Sequence, residues 1–232
     1  MKTYTIHVVG AGGTGSYFLK EFCRFAKERK EVIGVYIYDG DTVEEKNLSR
    51  QCFTEDDIGR NKAVVMAEIL SDAFSVPCYA VPEYLIDKSQ IVKTVNIPVL
   101  IGCVDNHAAR LVLEEYFKEQ RDCVLFDSAN EFDTGEVVFA YRVKNEFVGR
   151  ERSYYFPEVA EGSKARTEMS CTELNAVAPQ HIATNMLVAN QLLCGMANLL
   201  EGVYHPGFTM FNSFRFDTQF IPYRARVEKK AC

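Results

Sequence analysis

Thr3-Tyr-Thr-Ile-His-Val-Val9, followed at once by Gly10-Ala-Gly-Gly-Thr-Gly15-Ser16, makes the strongest statement about fold in this chain. The first seven residues are β-branched and apolar, which predicts a buried strand. Beyond the glycines, Phe18, Leu19, Phe22, Cys23, Phe25 and Ala26 recur at three-to-four spacing, while Lys20, Glu21, Arg24 and Lys27 fill the other face. A helix is therefore expected there. Strand, glycine turn and helix open a nucleotide-binding α/β sheet. Gly10, Gly12, Gly13 and Gly15 let the backbone turn tightly and approach a phosphate, and the helix start offers unpaired N–H groups to an anion. His7, inside the strand, is expected to be a core histidine.

The next apolar run, Val32 to Tyr38, ends in Asp39-Gly-Asp41-Thr-Val43, then Asn47-Leu-Ser-Arg50-Gln51 and Gly59-Arg-Asn-Lys62. An acidic residue just past a second strand is where such a sheet holds a ribose. Asp-Gly-Asp is also ordinary turn chemistry, but Asp39 stands 24 residues after Gly15 and has Arg50 downstream, which favours nucleotide contacts for Asp39 and Asp41. Arg50 and Lys62 have no use in hydride transfer and fit a phosphate clamp. Lys62 falls in the first turn of a helix predicted by Ala63, Val64, Met66, Ala67, Ile69, Leu70 and Ala73, where a cation opposes the helix dipole. That placement suits either a solvated lysine or one that answers phosphates.

Further on, Cys78 to Tyr84 reads as a strand and Asp87 to Val95 as a short helix. Ile97 to Val104 is an apolar strand ending in Asp105-Asn106-His107 before a helix over 108–119. Asp105 lies at the carboxyl end of its strand, the edge where open parallel sheets bind ligands, so it is expected to share one crevice with Asp39 and the Gly10 turn. It suits a Mg²⁺ ligand or a cap for the helix. Strands are expected at Cys123 to Asp127 and Gly135 to Val143, joined by a polar link containing Asn130. Asn145 to Ser170 is charged and aperiodic and reads as a long mobile loop. Ser170-Cys171-Thr-Glu173 precedes a long helix through Ile182 to Leu200 and one or two closing strands between Phe208 and Tyr223. Cys171, at a helix start, suits a low-pKa nucleophile as well as a packing residue; Cys194, inside the helix, is expected in the core.

The 232 residues fit one domain with a substantial core. Net charge is 26 − 32 = −6, and no basic stretch interleaves aromatics, so nucleic acid is not the expected partner. No apolar run reaches about 18 residues and no signal-peptide core follows Met1, so a cytoplasmic protein without a membrane contact is expected. Eight cysteines without an export signal are expected as thiols, and none forms a Cys-x-x-Cys pair that would hold zinc.

Together, Gly10-Ala-Gly-Gly-Thr-Gly15, Asp39-Gly-Asp41-Thr-Val43, Asn47-Leu-Ser-Arg50-Gln51, Gly59-x-x-Lys62, Val104-Asp105-Asn106 and Ser170-Cys171-Thr-Glu resemble the ThiF and MoeB family, bacterial relatives of ubiquitin-activating enzymes. The resemblance covers nearly the whole chain. Cys171 and the 127–138 link look closer to the ThiF-like proteins of PRTRC clusters. The resemblance implies a Rossmann-like, mostly parallel sheet flanked by helices, with antiparallel strands at the C-terminal end. It also implies ATP and Mg²⁺ as cofactors and adenylation of the C-terminal glycine of a ubiquitin-like (β-grasp) or sulfur-carrier protein, with homodimerisation. By resemblance Asp39 would hold the ribose and Asp41, Asn47, Arg50, Gln51 and Lys62 would surround the nucleotide. Arg50 and Lys62 would act catalytically on the triphosphate, Asp105 would support Mg²⁺, and Cys171 would take the activated carboxyl in some members. Family members also carry zinc-binding Cys-x-x-Cys pairs, a rhodanese-like extension in some, and an N-terminal segment whose arginine enters the partner's ATP site; here that arginine is expected from Arg150, Arg152 or Arg166, or goes unfilled. A nucleotide-binding but inactive subunit and an NAD-dependent oxidoreductase are the alternative readings.

Overall fold

The computed structural model describes residues 2–161 and 180–224. The apolar opening run forms β1 (Tyr4–Val9), buried along its whole length, and the glycine turn starts α1 (Gly13–Ala26). Then follow β2 (Val32–Tyr38), α2 (Lys62–Phe74), β3 (Cys78–Val81), β4 (Ile97–Gly102) and α3 (His107–Glu119). The second half holds β5 (Cys123–Asn130), β6 (Thr134–Val143), β7 (Glu146–Val148), α4 (Arg152–Tyr155) and α5 (Glu158–Glu161), then α6 (Ile182–Leu200), β8 (Gly207–Asn212) and β9 (Asp217–Pro222).

The described strands form one sheet in the order β3-β2-β1-β4-β5-β6-β8-β9, with β7 beside β6. Pairing is parallel from β3 to β5 and antiparallel from β5 onward. This is the expected Rossmann-like α/β architecture with its antiparallel C-terminal end. Strand alternation splits the core. Ile6, Val8, Ile37, Val99 and Phe126 pack with Phe18, Phe22, Met66, Leu192 and Met196 of α1, α2 and α6, whereas Val9, Tyr38, Leu100 and Leu125 pack with Leu113 and Phe117 of α3. Strand order reverses between β1 and β4, and that switch point opens the crevice where such sheets bind ligands.

Several expectations are corrected. Residues 87–95 form only a 3₁₀ turn, Lys88–Gln90, because Asp87 and Gln90 close a local capping box. Asn130 belongs to β5 rather than to a link. The described part of the stretch read as a loop from 145 carries β7, α4 and α5, elements too short to show periodicity. Cys194 is exposed. α6 is apolar around most of its circumference, and Leu192, Gly195 and Met196 take the buried side. His7 is in the core as expected, with Nδ1 3.0 Å from the Tyr38 hydroxyl; burial lowers its pKa to about 4. Among the described residues, no helix is long and apolar enough to cross a membrane.

Candidate active-site cleft

A cleft of about 1210 Å³ opens at the carboxyl ends of β1, β2 and β4. Gly10, Gly12, Gly13, Asp39, Asp41, Asn47, Arg50, Gln51, Lys62 and Asp105 all line it. Residues up to 95 positions apart in sequence therefore meet because three parallel strands end side by side.

The glycine turn is built by close approach. Gly10 has a φ of +93°, and a Cβ there would stand 2.5 Å from the Cys103 carbonyl oxygen; one on Gly15 would stand 1.9 Å from the Gly10 oxygen. Gly15 thus shapes the turn without lining the cleft. α1 starts after Gly12 with no side-chain cap, leaving its first N–H groups facing the cleft. That end of a 14-residue helix can receive an anion.

Asp39 is buried, and its carboxylate accepts from the Ala11 N–H (2.7 Å) and the Asp41 N–H (2.9 Å). Burial raises its pKa, against the opposing pull of Lys62 and those two donors. Asn61 ties this loop to α2: its amide donates to the carbonyls of Asp39 (2.9 Å) and Asp41 (3.1 Å), and its oxygen caps α2 by accepting from the Val64 N–H (3.1 Å). Lys62 is consequently drawn inward to 6% exposure, with Nζ 2.9 Å from the Asp41 carboxylate. Tyr84 donates its hydroxyl to the other Asp41 oxygen. Burial alone would raise the Asp41 pKa, but the Tyr84 hydroxyl and Lys62 outweigh it and the net shift is downward.

The 47–51 segment forms the third wall. Asn47 accepts from the Glu44 N–H (2.9 Å), and Ser16 on α1 accepts from the Cys52 N–H (3.1 Å). Gln51 is buried against Gly12, and its side-chain oxygen has no hydrogen-bond partner among the described residues. Arg50 is half-buried and donates to the Gln180 side-chain oxygen at 3.4 Å. Burial lowers its pKa, while the Asp105 charge pulls the other way. Asp105 does not cap α3; Asn106 does, accepting from the Ala109 N–H at 2.9 Å. Cys171 and Arg166 lie outside the described residues. Of the other candidate arginines, Arg150 pairs with Glu151, and Arg152 lines the cleft but is bound to Asp127 and Glu136.

The sequence reading missed three groups. Tyr84 lines the cleft beyond the end of β3. Thr14, Asn130 and Asn185 connect α1, β5 and α6 behind the turn by bonds of 3.2 and 2.8 Å. Arg110 lines the cleft's floor and is joined, through Asp127 behind it, to Arg152, which the sequence offered only as a source of the ATP-site arginine. The signal for Arg110 was its place four residues after Asn106, on the same helix face as Leu113 and Phe117.

A nucleoside triphosphate fits these features: open helix N–H groups, a fixed carboxylate past β2, and two cations. No group of three or more His, Cys, Asp or Glu side chains among the described residues could hold a metal by itself. Asp105 could hold Mg²⁺ only jointly with phosphates and water, which is how Mg²⁺ commonly binds.

The rice (Oryza sativa subsp. japonica) ubiquitin-like modifier-activating enzyme 5 is 27% identical over 133 residues, covering 51% of this chain and 30% of that protein. Among solved structures, E. coli MccB with ATP superposes with a TM-score of 0.68 at 14% identity, over 96% of this chain and 65% of MccB. MccB with AMPCPP and MccA gives 0.69 at 15%, over 96% and 65%, and PaaA gives 0.67 at 15%, over 94% and 64%. This chain thus spans less than a third of the rice protein and just under two thirds of those structures. Residues 1–232 match the ThiF family, and the chain belongs to that family.

Proposed function

We propose that the cleft binds ATP with Mg²⁺ and adenylates the C-terminal glycine of a ubiquitin-like or sulfur-carrier protein. The observation that carries this reading is the convergence of an uncapped helix start, a buried ribose-side carboxylate and two cations at one strand edge. In the reaction, the carrier's carboxylate oxygen bonds to the α-phosphorus, and the bond from that phosphorus to the bridging oxygen breaks. Pyrophosphate leaves with the electron pair. Charge builds on the phosphoryl oxygens and the leaving group, where Arg50, Lys62 and Asn47 supply fixed donors. Asp39, held by two backbone N–H groups, orients the ribose. Mg²⁺, when bound beside Asp105, neutralises phosphate charge.

The cleft also exceeds the roughly 300–1,000 Å³ of ordinary small-molecule sites. Its far arm runs along Glu136, Met210, Asn212 and Gln219 on β6, β8 and β9, which leaves room for an extended tail beside the nucleotide. MccB, which shares the fold, has been solved with AMPCPP together with MccA. As further parts of the proposal, the chain works as a homodimer in the cytoplasm, and Cys171 takes the acyl group from the adenylate with release of AMP.

ATP–pyrophosphate exchange tests the reading. Exchange should require Mg²⁺ and a carrier with a free C-terminal glycine, and a C-terminally amidated carrier should be inert. Tight NAD(H) binding in preference to ATP would overturn it in favour of a dehydrogenase.

A further inference from the structure

The floor of the cleft holds charged groups that the proposed chemistry does not use. Arg110 donates through Nη1 to the Asp127 carboxylate (2.5 Å) and the Ser128 carbonyl (2.6 Å), and through Nη2 to the Val104 carbonyl. Arg152 donates through Nε to the other Asp127 oxygen (2.7 Å), through Nη2 to the Asp127 carbonyl (2.9 Å), and pairs through Nη1 with Glu136. Arg110 is 4% exposed, Arg152 2% and Asp127 1%. Two cations balance two carboxylates, so neither arginine is left to hold a phosphate.

What the cluster does hold is the loop that carries Asp105. The Gly102 carbonyl accepts from the Ser128 hydroxyl at 2.7 Å, the Val104 carbonyl accepts from Arg110, and Asn106 is fixed as the cap of α3. Asp105 therefore stands between anchored neighbours on both sides. Its negative charge acts on both Arg50 and Arg110, raising the pKa of each against the effect of burial. Arg152 enters from α4 and grips the same Asp127 that grips Arg110, so the placement of α4 reaches the Asp105 loop through one carboxylate.

We infer that Arg110, Asp127 and Arg152 are positioning residues that set the Asp105 carboxylate for the adenylation step, and that seating of α4 is part of that setting. The inference rests on the proposed function for what Asp105 does. It requires the planar guanidinium fork, because one nitrogen must reach Asp127 and Ser128 while the other reaches Val104; a lysine ammonium keeps the charge and loses the fork.

Arg110→Lys and Arg152→Lys test it in the full chain. Each should lower the kcat of pyrophosphate exchange by roughly ten- to a hundredfold, with ATP affinity measured without Mg²⁺ close to wild type. In Arg110→Lys the amides of Cys103 to Asp105 should lose protection against hydrogen exchange. The decisive comparison is non-additivity: in an Asp105→Ala background, Arg110→Lys should cause no further fall. Losses that multiply in the double variant, or unchanged protection at Cys103 to Asp105, would overturn the inference. If Arg110→Lys does not fold, Arg152→Lys carries the same cycle, because it touches Asp127 and not the loop. If wild type shows no exchange with any carrier, the proposed function has failed, and hydrogen exchange still decides whether the cluster holds the loop.

Discussion

Arg50 and Lys62 on one wall of the cleft, and Arg110 and Arg152 on its floor, are similar side chains in opposite conditions. Arg50 makes one long hydrogen bond to Gln180, and Lys62, itself buried, pairs with an Asp41 carboxylate that is 44% exposed and so open to water. Arg110 and Arg152 are saturated by carboxylates and carbonyls in a buried, neutral cluster. The difference teaches that lining the cleft does not make a cation available to a ligand. A pair that water can reach is easily exchanged for phosphate, whereas a buried and fully satisfied pair is costly to open.

The largest effect should come from breaking the committed side. Asp127→Ala leaves two buried guanidiniums facing each other and should cost about 3–5 kcal/mol in urea denaturation. Arg50→Ala should reverse the pattern, with stability within about 0.5 kcal/mol of wild type and exchange reduced roughly 10²- to 10³-fold. Equal stability losses in the two variants would erase the distinction between them.

Acid sharpens the same contrast. His7 stays neutral in the fold down to about pH 4, while in the unfolded chain it gains a proton below 6.5. Its stability contribution is therefore intact above pH 6.5 and is lost between 6.5 and 4, by on the order of 3 kcal/mol. His7→Phe should flatten that part of the profile, which stability measured against pH will read. The smallest effect is expected at Tyr84→Phe. It removes one hydrogen bond to Asp41, a net change of about 0.5–1.5 kcal/mol, read as a few-fold change in ATP affinity.

The sequence was informative where local chemistry is dense. Apolar runs ending in Gly10, Asp39 and Asp105 marked the strand ends that build the cleft, and the spacing from Asn47 to Lys62 marked its cationic wall. The buried cluster was illegible because its partners lie 17 and 25 residues apart, on α3, β5 and α4, and meet only when those elements pack together. In the sequence of α3, Leu111, Val112, Glu115 and Phe117 are too mixed to define a sharp face; of these only Phe117 is on the buried side, with Arg110, Leu113 and Glu114, at helical spacing with two charged members. Burial of charge, which a hydrophobic pattern scores as exposure, hid it. The same cause hid α4: Arg152 read as part of a loop and as a candidate for the ATP-site arginine, and is instead 2% exposed and bound to Asp127.

The central claim is that Arg50 and Lys62 are the cations available to a triphosphate. Calorimetric titration of ATP into wild type, the Arg50→Ala/Lys62→Ala double variant and Arg110→Lys tests it most directly. The account predicts that the double variant loses about a hundredfold or more in affinity, while Arg110→Lys, titrated without Mg²⁺, binds ATP as wild type does. Wild-type ATP affinity in the double variant would contradict it.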